Sequence, residues 1–81
     1  MAPLTLHPIN ADACLVRDAD GQVVGSLKRI GPGWKFKAIG HDPTGQLIPG
    51  GGPLTHRHNT VFEALDAVAV NARLLGDGLY E

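Results

Sequence analysis

A single cysteine, Cys14, stands in a chain of 81 residues, and that scarcity removes several functions at once. No disulfide can close within the chain, and neither a cysteine zinc site nor a disulfide framework is available. Cys14 lies among Ala13, Leu15 and Val16, company that suits a small buried hydrophobe better than a reactive thiol. Long apolar runs are also missing, since nothing approaches the ~18 consecutive residues of a membrane span. The opening residues Met1 to Pro8 show neither the basic nor the long apolar region of a signal peptide, so cytoplasmic residence is expected. Serine occurs only at Ser26, inside a strand-like stretch, and no nucleophile elbow is present. Asp18 with Asp20, and Glu63 with Asp66, are explained more simply by turn and exposed-helix positions than as catalytic acid pairs. No enzyme is expected, and no cofactor.

Acid is absent from one long segment. Gly21 to His41 carries Lys28, Arg29, Lys35 and Lys37 and no Asp or Glu. The formal charge of −1 therefore hides a +4 segment set against −5 elsewhere. At 43% apolar and 19% charged, the composition is that of one globular domain.

Residues 1–11 hold two prolines and little periodicity, and read as an extended lead-in. A β-meander is expected over 12–49. Ala13–Arg17 is the first strand, followed by the turn tetrad Asp18-Ala19-Asp20-Gly21. Gln22–Ile30 is the return strand, Gly31-Pro32-Gly33 a sharp turn, and Trp34–Gly40 the third strand. The alternation Trp34, Lys35, Phe36, Lys37, Ala38 is the clearest strand signal in the chain. With Pro32-Gly33 as the loop, Arg29 faces Phe36, Lys28 faces Lys37 and Leu27 faces Ala38. Val23, Leu27, Trp34, Phe36 and Ala38 then share an inward face. Ser26, Lys28, Lys35 and Lys37 share a wet one, with Val24, Ile30 and Ile39 among them.

Gln46–Ile48 is available as a fourth strand, and 50–59 reads as a Gly/Pro-rich loop. Between Gly31 and Pro53, 11 of 23 residues are Gly or Pro, so no helix fits there. A helix is expected over 60–76, opened by the capping box Thr60-Val61-Phe62-Glu63 and stopped at Gly76, with 77–81 a tail. Val61, Leu65, Val68, Ala72 and Leu75 define its inner face, Phe62 and Ala69 widen it, and Val70 and Leu74 fall on the outer flank. The fold class is α+β: an antiparallel three-stranded meander, four-stranded if Gln46–Ile48 pairs, packed against one C-terminal helix. This element order is similar to that of the small DNA-binding domains of some phage-type integrases, and the late helix to small toxin–antitoxin partner proteins. Both likenesses are of element order alone.

Function reads as a small non-enzymatic binding or interaction module. One alternative is nucleic-acid backbone binding through Lys28, Arg29, Lys35 and Lys37 on the sheet. Base stacking is disfavoured, because Trp34 and Phe36 are required on the opposite face. Another is an anion site at the helix N-terminus built from His56, Arg57, His58 and Thr60. His56 and His58 could also approach a metal, but the spacing is weak, and two surface histidines preceding a helix account for them more simply. The remaining exposed aliphatics, Val24, Ile30, Ile39, Val70 and Leu74, point to a homo-oligomer or a partner protein.

Overall fold

The computed structural model describes residues 3–75. It contains strands β1 (Thr5–Asn10), β2 (Ala13–Arg17), β3 (Val23–Ile30), β4 (Gly33–His41), β5 (Leu47–Pro49) and β6 (Val61–Phe62). A 3-10 turn spans Thr55–Arg57, and one helix, α1, spans Ala67–Leu75. The sheet is antiparallel in the order β1-β2-β3-β4-β5, with β6 also paired to β4. The α+β class stands, but with six strands where three or four were expected.

The first extra strand is the lead-in. Leu6 pairs with Val16 and packs against the core, and Leu4 before it is buried. Pro8 is tolerated because β1 is an edge strand of the described sheet, and the register shifts between Pro8 and Asn10. The Asn10 side chain then accepts the Asp12 amide at 2.8 Å and closes the turn into β2.

Two other hairpins turn on one five-residue pattern, Asp-x-x-Gly-Gln. In Asp18–Gln22 the Asp18 carboxylate accepts the amides of Asp20 and Gln22 at 2.9 and 3.0 Å. In Asp42–Gln46 the Asp42 carboxylate accepts those of Thr44 and Gln46, both at 2.9 Å. Between β3 and β4 the two-residue loop is Gly31-Pro32, with Ile30 opposite Gly33. Gly31 has φ of 58°, and a positive φ followed by proline's fixed negative φ is the order a type II′ hairpin demands. The expected loop, Pro32-Gly33, would place the proline where that positive φ is needed. The pairing therefore slides by two residues, so that Leu27 meets Phe36 and Arg29 meets Trp34. An even slide leaves the two faces unchanged.

One face does change at the far end of β3. Arg17 pairs with Val23 and Val16 with Gly25, so Val24 is an extra residue in a β-bulge. The bulge sends Val24 inward, to 2% exposure, and corrects its expected place on the wet face. Gly25 follows because Phe36 lies across it: a Cβ there would enter the Phe36 ring and stand 2.8 Å from the Lys37 carbonyl oxygen.

The helix is shorter than expected and turned. Residues 60–62 run along the open edge of β4 instead of starting a helix. Phe36 N donates to Thr60 O and Asn59 N to Phe36 O, both at 2.7 Å, and Val61 and Phe62 pair with Lys35 and Trp34. A β-branched and an aromatic residue suit either element; the unpaired backbone groups of β4 decide for the strand. Thr60 is therefore no capping box, and its hydroxyl donates to Arg57 O at 2.6 Å. Asp66 caps α1 instead, its carboxylate accepting Val68 N at 3.0 Å. From that start Val70 and Leu74 point inward, while Val68 is 77% exposed, the reverse of the expected phase. Gly76 and the 77–81 tail lie outside the described residues.

The core thus lies on one side of the sheet. Cys14, Val16, Leu27, Phe36, Ala38 and Phe62 project from the strands to meet Leu4, Leu54, Val70 and Leu74. The extents of 36 × 34 × 19 Å are those of a slab: one sheet and one covering layer.

Candidate functional site

Alternation along β4 separates the aromatics from the lysines. Trp34 and Phe36 are buried under the covering layer, whereas Lys35 and Lys37 emerge half-exposed on the other face. On β3 the same face carries Ser26, Lys28 and Ile30. Ser26 stands opposite Lys37, and Lys28 directly opposite Lys35. On β2 it carries Ala13, Leu15 and Arg17, and on β1 Thr5 and His7, set by the pairs Thr5 with Arg17 and His7 with Leu15. None of these residues is buried. The six strands contain no Asp or Glu at all. The acids of the described chain sit in turns, in the 63–66 segment and at the helix start, so the charged side chains that the strands place on this face are all cations.

Two changes follow for the residues singled out from sequence. Arg29 leaves the set, because its partner is Trp34 and it belongs to the covered side of the sheet; it is exposed at the end of β3, with Nε 3.4 Å from Gly31 O. Arg17 enters it. The strand pattern Ala13 to Arg17 carried the necessary signal, since burial of Cys14 and Val16 puts Arg17 on the lysine side. Its Nε is buried and has no hydrogen-bond partner among the described residues.

His56, Arg57, His58 and Thr60 precede a strand and not a helix, so no helical amides assemble beside them. His56 is exposed in the 3-10 turn. His58 has a structural role: its Nδ1 accepts the Ala38 amide at 3.0 Å, which leaves Nε2 as the nitrogen that carries the ring N–H. This bond fills the gap on the β4 edge between residues 59–62 and the bond from Gly50 N to Ala38 O. Lys37 Nζ donates to Asn59 Oδ1 at 2.8 Å, which tethers one lysine of the basic face. Among the described residues no three His, Cys, Asp or Glu side chains gather as a metal would need.

No family model, curated protein or solved structure matches the chain. Six strands also depart from the order of three strands and a helix expected from the sequence. Among the described residues no helix is long and apolar enough to cross a membrane.

The chemistry available on the open face is donation of charge and hydrogen bonds to an anion. Burial pushes the Cys14 thiol above its ordinary value, the opposite of what a nucleophile needs. Arg73, the helix cation, is engaged in structure: it donates to Val61 O at 2.6 Å and stacks over Phe62 at 5.1 Å.

Proposed function

We propose that the protein is a non-enzymatic binding module whose open sheet face takes the backbone of a nucleic acid. The observation that carries this reading is the direct opposition of Lys28 and Lys35, with Lys37 next along β4 and Arg17 farther out on the same face, whose strands hold no acid. Like charges directly across a sheet are destabilising, and an anionic partner is what relieves them. The aromatics Trp34, Phe36 and Phe62 are buried, so recognition uses charge and not base stacking and tolerates many sequences.

Fluorescence anisotropy with labelled duplex DNA and RNA at low salt tests it. Binding should weaken with salt, with a log–log slope no steeper than about 3.6 for four cations on duplex DNA. The triple variant K28E/K35E/K37E should lose it, and Arg29→Glu should keep most of it. Absence of binding at low salt overturns the reading.

A second reading, an acidic partner protein, is favoured by Ile30, Val61 and Leu47 around the lysines, at 47%, 54% and 58% exposure. Association of two copies through this face is disfavoured, because their lysines would meet. Val24, Val70 and Leu74 are buried and offer no surface to a second copy. Sedimentation equilibrium showing dimerisation through this face would count against both readings.

A further inference from the structure

At the β4–β5 end of the basic face lies an open depression of about 420 Å³, with Ile39, Leu47 and Pro49 as apolar walls and Ser26, Lys37 and His58 as polar ones. Its polar groups are all suited to donate. Lys37 uses one of its three N–H groups on Asn59, a neutral amide that leaves the charge uncancelled. His58 is held with Nδ1 as acceptor from Ala38, so Nε2–H is free to donate, and that nitrogen lies over Gly50, within 3.7 Å of where a Cβ would stand. Ser26 adds a hydroxyl opposite Lys37. Among the described residues no carboxylate lines the depression. The nearest acid in sequence, Asp42, is occupied in its own turn by Thr44 and Gln46.

A cation and two further donors above an aliphatic wall are complementary to a molecule with one anionic head and one apolar body. We infer that this depression binds a small aliphatic monocarboxylate, its head at Lys37 and His58 and its chain against Ile39 and Leu47. The site is independent of the nucleic-acid reading, although Lys37 is common to both.

Titration of the 15N-labelled protein with hexanoate, followed by amide shifts, tests the inference, with hexan-1-ol as the uncharged control. Saturable shifts are expected at Ser26, Ile39 and Gly50 at roughly millimolar concentration, a strength ordinary for so small a ligand. Hexan-1-ol should bind at least about tenfold more weakly, and Lys37→Gln should weaken hexanoate by about tenfold, the effect of one charge-assisted bond. Leu47→Asp should abolish binding while leaving distant amide shifts unmoved. K28E/K35E should lose nucleic acid yet keep hexanoate, which separates failure of one proposal from failure of the other. Linear, non-saturating shifts, an equal response to hexan-1-ol, or an unchanged Lys37→Gln would each overturn it.

Discussion

Asn71 grips the Leu4 backbone with both ends of its amide: Oδ1 accepts Leu4 N at 2.6 Å, and Nδ2 donates to Leu4 O at 3.0 Å. The same Nδ2 reaches Ala67 O at 2.9 Å, so the side chain is braced on its own helix. An amide side chain here does what a paired strand would do, satisfying an N–H and a C=O beside a buried Leu4. Asn71→Ala should cost ~1–3 kcal/mol in urea unfolding, because the Leu4 groups are left unpaired. Asn71→Leu, apolar and similar in volume, should cost about as much. Recovery of stability in Asn71→Leu would show that packing, and not the amide clamp, holds the Leu4 segment to the helix.

The rotated helix makes a sharper contrast between two neighbours. Leu74 is 1% exposed and Val68 is 77% exposed. Leu74→Ala should cost ~2–5 kcal/mol by opening a cavity against the sheet. Val68→Lys should stay within about 0.5 kcal/mol of the parent. Chemical denaturation of the two variants decides the phase; the opposite ranking would restore the face through Val61, Leu65 and Val68.

That phase shows where sequence reasoning stops. Alternation from Trp34 to Ala38 is a property of one strand, and it was enough to divide core from lysines. Asp18 and Gly21 likewise specify a turn by local chemistry. The fates of Thr60, Val61 and Phe62 depend on an unpaired edge of β4 more than twenty residues away, which no local pattern reports. Moving the helix start to Asp66 exchanged Val68 for Val70 and dissolved the anion cradle drawn around Thr60. The bulge at Val24 is of the same kind, since it exists only against Val16 and Arg17 on the neighbouring strand. Of the basic site, the lysines were legible through alternation. Arg17 was open to the same alternation, through the buried Cys14 and Val16 beside it, and Arg29 showed that closeness in sequence does not place two cations on one face.

The opposition of Lys28 and Lys35 implies a conflict between stability and binding. Lys35→Glu replaces a like-charge pair by an attractive one and should stabilise the fold by ~0.2–1 kcal/mol at low salt. The same variant should bind nucleic acid more weakly, having lost one phosphate contact and gained a repulsion. Thermal unfolding and anisotropy on one preparation measure both. A variant that is less stable as well as weaker in binding would mean that Lys35 is held by an attraction the sheet face does not show.

Acid should act late on one turn. The Asp42 carboxyl is held below the usual carboxylate range, chiefly by the Thr44 hydroxyl at 2.7 Å and then by the Gln46 amide. Its folded value lies below its unfolded one, so its contribution to stability is complete above the ordinary carboxylate value. That contribution is lost as pH falls through the lowered folded value. The amide resonances of Thr44 and Gln46 should therefore hold steady through mild acid and move only below the range where exposed aspartates titrate. Asp42→Asn keeps an oxygen that can accept these bonds and removes the proton equilibrium, so the same resonances should become insensitive to pH. A midpoint at the ordinary carboxylate value in the parent, or an unchanged titration in Asp42→Asn, would show that these amides do not report hydrogen bonds to an ionised Asp42.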